Sequence, residues 1–208
     1  MEDKFVEDKQ AILDVYHDSI AQYGHTIRGI TWGSSESQLI RFKIISQMGG
    51  MLGKRVLDVG CGFGDLYGYL AGSGARPSSY LGIDINSVVI ETAKNKYRDA
   101  EFTCGDILLG ACDNFKFDYV VASGALGIST AHWEEHTFSM LKKMWDLSEV
   151  GIAANFLTKF SKRRTGSNYV DPGWMLNTIS IMLSRWTVLR QEYKENDFTI
   201  YVYHNSPF

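Results

Sequence analysis

The 208-residue chain has few cysteines, few prolines and no long hydrophobic run. The cysteines Cys61, Cys104 and Cys112 are odd in number and lack metal-ligand spacing, so we expect reduced thiols and no metal site. No apolar stretch is long enough to span a membrane, and the opening at residues 1–4 does not have the character of a secretory signal. These absences predict a cytoplasmic protein without disulfide bonds.

The chain also lacks a strong excess of charge of one sign. Its formal net charge is −3 and its pI is about 5.9, which gives no global attraction to nucleic acid or to an anionic membrane. A chain of 208 residues can bury a large core but is short for two full domains. We therefore expect one domain, and a small-molecule partner is favoured over nucleic acid.

Strand-like and helix-like segments alternate from residue 55 onward. Such alternation indicates an α/β fold with a parallel, doubly wound sheet. The end of the chain differs, because 187–193 and 198–204 predict an antiparallel hairpin with a tight turn at 195–197. We therefore predict a mostly parallel, seven-stranded sheet that ends in this hairpin. The short apolar runs that predict the preceding strands are 55–59, 80–84, 101–104, 117–123 and 150–154.

Two helices are predicted before the sheet begins. The helix over residues 5–22 has its apolar residues on one face, as expected for a surface helix. A second helix over about 36–48 would begin at a cap formed by Ser34 or Ser35. The residues predicted on its inner face are Leu39, Phe42 and Ile45.

The stretch at residues 55–66 is a short apolar run that ends in glycines and then restarts as a helix. Gly60, Gly62 and Gly64 permit positive φ and leave no side chain between the main chain and a ligand. Asp84 closes the second predicted strand, where a carboxylate can accept both hydroxyl groups of a ribose. A cofactor that contains a nucleoside is therefore predicted.

Asp65 distinguishes between two classes of cofactor. A dinucleotide-binding loop has glycine at the position of Asp65, and a carboxylate there would repel a pyrophosphate. An acidic loop suits a ligand that carries ammonium and sulfonium charges. The terminal hairpin also fits poorly with a dehydrogenase, so an NAD-dependent reductase is a remote alternative.

Four segments together resemble the motifs of the class I S-adenosylmethionine-dependent methyltransferases. They are VLDVGCGFG at 56–64, LGIDI at 81–85, GDI at 105–107 and FDYVVAS at 117–123. The resemblance covers about residues 54–156, and the terminal hairpin looks like the family's reversed seventh strand. It implies a Rossmann-like fold over 51–208 behind a helical cap at 1–50, with S-adenosylmethionine (SAM) as cofactor and S-adenosylhomocysteine (SAH) as product.

The resemblance also implies roles for individual residues. Asp84 would bind the ribose hydroxyls, Asp106 the adenine amino group, and Ser123 or Ala122 would offer a backbone carbonyl to the methionine ammonium. Arg41, with Gln38, would reach the methionine carboxylate. As alternatives, the two aspartates can cap a helix or a turn, and Arg41 can be a surface charge. The complete predicted cofactor set is Asp58, Gly60, Cys61, Gly62, Gly64, Asp84, Ile85, Asp106, Ile107, Ser123, Gln38 and Arg41.

No motif identifies a catalytic residue. Methyl transfer from a sulfonium is a direct displacement, in which alignment and exclusion of water do most of the work. An oxygen or carbon nucleophile would still benefit from a general base. His132 follows the fourth predicted strand and is one candidate, and His25 and Tyr23 are rivals in the N-terminal loop.

Three loops are expected to enclose the acceptor, at 23–32, 124–133 and 155–174. Their aromatic residues can form an apolar lid over a small molecule or can simply close the core. The third loop also carries a basic run at 159–164, which is either solvated or holds an anionic substrate. The predicted substrate-binding residues are Trp32, Trp133, Phe156 and Tyr169.

These observations favour a methyltransferase that acts on a small acceptor of aromatic or natural-product-like character. The segment after the fourth strand reads Ser-Gly-Ala-Leu, in place of the Asn-Pro-Pro-Tyr type of sequence found in nucleic-acid amino-methylating members of the superfamily. Two alternatives stay open: a protein or nucleic-acid methyltransferase, and a cofactor-binding partner protein that no longer transfers methyl groups.

Overall fold

The computed structural model describes residues 5–162, 164 and 166–207. Strands and helices alternate in this part of the chain as the sequence predicts, with one short 3-10 helix at Ile107–Leu109. The α-helices are α1 (Val6–Tyr23), α2 (Ser35–Ser46), α3 (Asp65–Gly72), α4 (Ser87–Lys96), α5 (Trp133–Leu147) and α6 (Pro172–Met182). The strands are β1 (Arg55–Val59), β2 (Ser79–Asp84), β3 (Glu101–Cys104), β4 (Phe117–Ala122), β5 (Ser148–Thr158), β6 (Tyr169–Val170), β7 (Thr187–Arg190) and β8 (Asp197–Tyr203).

The sheet has the order β3-β2-β1-β4-β5-β8-β7, with β6 paired to the end of β5. The pairs from β3 to β5 are parallel, whereas β8 runs antiparallel to both β5 and β7. The strand order reverses after β3, so the carboxyl ends of β1 and β4 flank a crevice of the kind in which open α/β sheets bind ligands. The predicted Rossmann-like sheet with a terminal antiparallel hairpin is confirmed.

Two details of the sheet differ from the sequence prediction. The loop predicted over 155–174 contains the end of β5 and the two-residue strand β6. The connection between β7 and β8 is a six-residue segment at 191–196 in place of a tight three-residue turn. The longer connection carries polar residues to the same edge of the sheet as the carboxyl end of β5, because β8 begins at that edge.

Helix α2 begins where the sequence places its cap. The Ser34 side chain accepts a hydrogen bond from the Ser37 N–H at 3.1 Å, which satisfies one of the unpaired donors of the first turn. Phe42 and Ile45 are buried as predicted, but Leu39 is 50% exposed. The inner face of α2 is therefore rotated away from Leu39 and includes Gln38, which is buried.

Hydrophobic cores cover both faces of the sheet. One core surrounds Leu57, Val120 and Ile152 and is covered by α5 and α6. The opposite core contains Val56 and Val121 and is covered by helices that include α2 and α3. Adjacent residues of β1 and β4 thus point to opposite cores, as a doubly covered parallel sheet requires.

Helix α1 lies across the edge at which the parallel strands end. The carboxylate of Asp8 accepts the backbone N–H of His132 at 3.2 Å, at the start of α5, where an anion interacts favourably with the helix dipole. Further along α1, Tyr16 and Ile20 pack against a small cluster that contains Ile30 and Phe63. None of the helices in the described residues is long and apolar enough to cross a membrane.

Candidate functional site

A cavity of about 600 Å³ opens at the carboxyl ends of β1, β4 and β5. Its size is in the usual range for small-molecule sites. Its walls include the Gly60-Cys61-Gly62 loop, the segment after β4, the end of β5, the β7–β8 connection and the start of α2. A smaller recess of about 60 Å³ lies beside it, next to the ends of β2 and β3, and shares Gly60 and Tyr16 with the cavity.

The glycine loop after β1 has the backbone conformation for which its glycines are needed. Gly60 and Gly62 have φ values of 70° and 53°, which side chains rarely adopt. A Cβ atom at Gly60 would lie only 2.3 Å from the Cβ of Ala125. Gly64 differs, because it does not line either hollow; it begins α3, and a Cβ there would lie 2.7 Å from the ring of Phe102. Gly64 thus has a packing role, and its contact with the cofactor stays a prediction.

Asp58 lies beneath this loop, in the wall of the cavity, and is 2% exposed. Tyr80 donates a hydrogen bond to its Oδ2 at 2.6 Å. Burial raises the pKa of Asp58 to about 7, against the lowering effect of the Tyr80 hydrogen bond, and the negative charges of Asp84 and Asp65 raise it further. In the folded protein Asp58 therefore ionises at a much higher pH than an exposed carboxylate does.

Asp84 connects the glycine loop to the end of β2. Its Oδ2 accepts the Gly62 N–H at 3.1 Å and its Oδ1 accepts the Asn86 N–H at 3.0 Å. Burial raises the pKa of Asp84, although these backbone hydrogen bonds act in the opposite direction. Asn86, not Asp84, caps helix α4, since its side chain accepts the Val88 N–H. A carboxylate has about four acceptor positions, so Asp84 keeps acceptor capacity toward the recess that it lines.

Asp106 also lines the recess, together with Ile85 and Ile107. Its Oδ1 accepts the Leu108 N–H at 2.7 Å, which caps the short 3-10 helix, and Lys9 of α1 forms an ion pair with its Oδ2. The predicted adenine site is therefore covered by α1 in this structure. Sequence reasoning missed Lys9, because a lysine on a surface helix has no distinguishing pattern.

Tyr16 lies between the two hollows and lines both of them. Burial raises the pKa of its hydroxyl group, with a further contribution from the Asp84 charge. Tyr16 thus stays a neutral phenol next to the predicted ribose position. The sequence placed this residue on the inner face of the first helix but gave it no part in the site.

Arg41 is not a surface charge, since its side chain is only 12% exposed. Its Nε and Nη2 donate to the two carboxylate oxygens of the buried Asp197, at 3.0 and 2.5 Å. The guanidinium lies over the ring of Trp32 at 4.8 Å, and its Nη1 faces Gly124, just after β4. The fork of Arg41 is therefore occupied by Asp197, and Nη1 is left toward the end of β4, where the methionine carboxylate is predicted.

Gln38, predicted to assist Arg41, also lines the cavity and donates to the Asp65 carboxylate at 3.4 Å. Asp65 forms an ion pair with Lys96 as well. Asp65 is therefore part of the connection between α2, α3 and α4.

A buried chain of hydrogen bonds begins at Ser123, at the end of β4. The Ser123 hydroxyl donates to Asn155 Oδ1 at 3.0 Å, Asn155 donates to Thr199, and Thr199 contacts the Tyr193 hydroxyl at 2.8 Å. Burial raises the pKa of Tyr193 to about 12, so this phenol does not act as a base at neutral pH. The chain fixes the side chains of Ser123 and Asn155 in the cavity wall.

Two of the three segments predicted to enclose an acceptor, 124–133 and 155–174, are joined to each other over the cavity. Ile128 forms a β-bridge with Ser167, and the Asn168 N–H donates to the Gly127 carbonyl at 2.9 Å. Trp32, Phe156 and Tyr169, three of the four predicted substrate residues, line the cavity.

Trp133, the fourth, does not line the cavity. Its indole N–H donates to the Leu126 carbonyl at 2.7 Å, and its ring packs against the core beneath α5. The prediction that Trp133 contacts substrate is therefore not supported. The tryptophan begins a helix, and the chain has already left the cavity at that point.

The three residues proposed as general bases all lie outside the cavity and the recess. His132 is about half exposed and is held at the start of α5 by Asp8. His25 stacks on Phe63 and hydrogen-bonds to Thr92 at 3.0 Å, on the outer side of the glycine loop. Tyr23 is 41% exposed at the end of α1. The described lining of the cavity contains no histidine.

The basic run of the third loop is largely engaged within the loop itself. Lys159 pairs with Asp171, and Lys162 pairs with Glu195. Arg164 donates to the Lys159 carbonyl, and Arg163 lies outside the described residues. These contacts match the interpretation of a solvated loop better than that of a clamp for substrate.

Cys61 is the last residue of the predicted cofactor set. Cys61 lines the cavity as a buried free thiol, and Cys104 and Cys112 are also free. Within the described residues, no three His, Cys, Asp or Glu side chains come together as metal ligands.

Comparisons with known proteins agree with this geometry. Residues 56–148 match the profile of the methyltransferase domain family. The fold is similar to that of magnesium protoporphyrin IX methyltransferase from Synechocystis PCC 6803, solved with bound SAH, with a TM-score of 0.65 at 14% identity over 94% of this chain and 99% of that one. Residues 56–148 are therefore similar to a methyltransferase domain, and the chain has the fold of SAM-dependent methyltransferases.

Two curated relatives match parts of the chain. A fatty-acid O-methyltransferase of Mycolicibacterium smegmatis is 46% identical over 56 residues, which are 26% of this chain and 20% of that protein. A ubiquinone biosynthesis O-methyltransferase of Coxiella burnetii is 36% identical over 85 residues, which are 39% of this chain and 35% of that protein. The matched segments thus span well under half of the length of either relative.

Proposed function

We propose that this protein is a SAM-dependent methyltransferase that transfers a methyl group to a small-molecule acceptor. The observation that carries the proposal is the contact between Asp84 and Gly62, which joins a buried carboxylate to a glycine loop at the junction of two hollows. Asp84 has acceptor capacity for ribose hydroxyls, and the loop offers bare backbone. Two curated relatives named as O-methyltransferases support the same activity.

The residues of the site fit the cofactor in chemistry. When bound, SAM supplies a methyl group on a sulfonium, which is already a good leaving group. Asp58 beneath the loop, when ionised, favours a ligand with ammonium and sulfonium charges. Arg41 presents Nη1 toward the end of β4, where it would hold the methionine carboxylate. Asp84 would hold the ribose, and Asp106 the adenine amino group in exchange for Lys9.

The chain's own contribution to catalysis is alignment and the exclusion of water. The bridge between Ile128 and Ser167 closes one side of the cavity, and the Ser123–Asn155 hydrogen bond fixes two polar side chains in its wall. The lining, as far as the structure describes it, has no histidine, and Tyr16 is a neutral phenol. Such a site suits an acceptor atom that is already nucleophilic near neutral pH.

A concave cavity that the Ile128–Ser167 bridge closes on one side favours a small acceptor over the alternative of a protein or nucleic-acid substrate. The relatives are named for fatty-acid and ubiquinone-pathway O-methylation, so we propose an oxygen atom as the methyl acceptor. A cytoplasmic location stays a prediction from the sequence. The intact glycine loop and Asp84 argue against the alternative of a partner protein that has lost its cofactor.

Isothermal titration with SAH tests the proposal. Wild-type protein is expected to bind SAH, and Asp84→Ala to bind it roughly 10- to 100-fold more weakly, because a hydrogen bond to a charged group contributes about 1.5–3 kcal/mol. Asp99→Ala is the matched control, since Asp99 is exposed and pairs with Arg76 away from the cavity. Absence of binding heat for both SAM and SAH in the wild type would refute the proposed function.

A further inference from the structure

The cavity contains a cluster of three charged groups at the end farthest from the recess. Arg41 and Lys194 both form ion pairs with the single carboxylate of Asp197, which is completely buried. Two cations therefore share one anion. Among the described residues that line the cavity, the only other charged group is Asp58, which lies beneath the glycine loop.

Helix α2 adds to the positive character of this cluster. Lys194 contacts the side chain of Ser37, in the first turn of α2, where the backbone N–H groups give a partial positive charge. The Arg41–Asp197 pair is bidentate and nearly neutral as a unit. The surplus of about one positive charge is therefore centred on Lys194, whose side chain is 30% exposed.

The sheet places the backbone of Lys194 beyond β4. The strands run in the order β1, β4, β5 and β8, and neighbouring strands lie about 4.8 Å apart. The backbone of Lys194 shortly precedes β8, so it lies roughly 10 Å beyond the end of β4, two strand spacings away. Its Nζ reaches the Asp197 Oδ2 that also accepts Arg41 Nε, so the surplus charge lies beside Arg41, on its β8 side.

Other polar side chains line the same cavity: Asn196, two residues after Lys194, and Asn155 and Tyr169. A ligand group with one negative charge would balance Lys194. A single surplus cation matches a monoanion better than a phosphate dianion.

We propose that the methyl acceptor carries a carboxylate and that Lys194 binds it at the β8 end of the cavity. This inference rests on the proposed function, since it assigns the acceptor to the space that the cofactor leaves. Arg41 and Asp197 act together as a fixed support, with Nη1 of Arg41 toward the cofactor and Lys194 toward the acceptor. Lys194 is thus a specificity-determining residue for acidic acceptors.

The test uses the complete chain saturated with SAH, with two acids as probes. 4-Hydroxybenzoate and decanoate are titrated against their neutral amides, 4-hydroxybenzamide and decanamide, in wild-type protein and in Lys194→Met. We expect the wild type to bind at least one acid more tightly than its amide, and Lys194→Met to lose roughly 10- to 100-fold in affinity for that acid. Lys162→Met is the control, because Lys162 is exposed and pairs with Glu195 outside the cavity.

Two results would overturn the inference. Wild-type protein that binds SAH but binds neither acid better than its amide would exclude a carboxylate site. A Lys194→Met protein that loses affinity for SAH, with its affinity for the acid unchanged, would assign the charge to the cofactor's own carboxylate. The SAH titration of the wild type is made first, so failure of the proposed function is distinguished from failure of the acceptor assignment.

Discussion

Replacement of Asp58 by asparagine should stabilise the protein more at high pH than at low pH. The same substitution should weaken cofactor binding. Asp58 is 2% exposed, and burial raises its pKa from about 3.8 to about 7. The folded state therefore holds this proton more tightly than the unfolded state does. By linkage, stability from this group is present below pH 4 and is lost as pH rises from about 4 to about 7.

The magnitude follows from the size of this shift. Each pH unit between the two pKa values costs about 1.4 kcal/mol, so Asp58 costs the wild type about 1.7 kcal/mol at pH 5 and about 4 kcal/mol at pH 8. The amide group that the Asp58→Asn substitution introduces does not ionise but can still accept the Tyr80 hydrogen bond. The stability of the variant relative to wild type should therefore rise by about 2 to 3 kcal/mol between pH 5 and pH 8.

Urea denaturation of both proteins at the two pH values measures this difference. Effects of the substitution that do not depend on pH cancel in the comparison. Titration with SAH gives the second measurement: the variant should bind more weakly than wild type at pH 8 and about equally at pH 5, where Asp58 of the free wild-type protein is protonated and therefore uncharged like the amide. If the stability of Asp58→Asn relative to wild type were the same at pH 5 and pH 8, the argument would be refuted. Asp58 would then not be a buried, destabilising carboxylate that is kept for the cofactor.

Three other substitutions test the site. Gly60→Ala should lower the free energy of unfolding by more than Gly50→Ala does. Both positions have positive φ, which costs a side-chain-bearing residue about 1–2 kcal/mol, but only the Cβ at Gly60 would meet a neighbouring side chain. Equal losses of stability in urea denaturation would contradict this. His132→Ala should leave kcat nearly unchanged, and a 10²- to 10⁴-fold loss, as expected for a general base, would show that the histidine takes part. Lys9→Met should speed SAH association in stopped-flow measurements by up to about fivefold, because its ion pair with Asp106 holds α1 over the recess; an unchanged rate would remove α1 as a barrier.

The parts of the site that the sequence predicts are those with a local physical cause. A short apolar run followed by glycines produces the β1 loop, and an acid at the end of a strand must lie at the edge where ligands bind. Asp84 and Asp106 are therefore found beside the recess, as expected. The cap of α2 at Ser34 has the same local origin.

The parts that the sequence does not predict depend on contacts between distant residues. Arg41 is oriented by Asp197, which is 156 positions later in the chain. His132 is held outside the cavity by Asp8, which is 124 positions earlier in the chain. A histidine that the sequence places in a loop near the site therefore does not line the cavity. Lys194 has no motif at all. Its proposed role in binding the acceptor is inferred from the carboxylate that it shares with Arg41.

The reversed direction of β8 has a consequence for how this fold can diversify. Because β8 begins where the parallel strands end, the segment at 191–196 reaches the cavity from beyond β5, and Lys194 and Asn196 join its lining. The same segment also supports the predicted cofactor residues, because Lys194 shares Asp197 with Arg41 and Tyr193 ends the hydrogen-bond chain that begins at Ser123. Exchange of residues 191–196 between homologous proteins is therefore expected to change acceptor choice and cofactor affinity together.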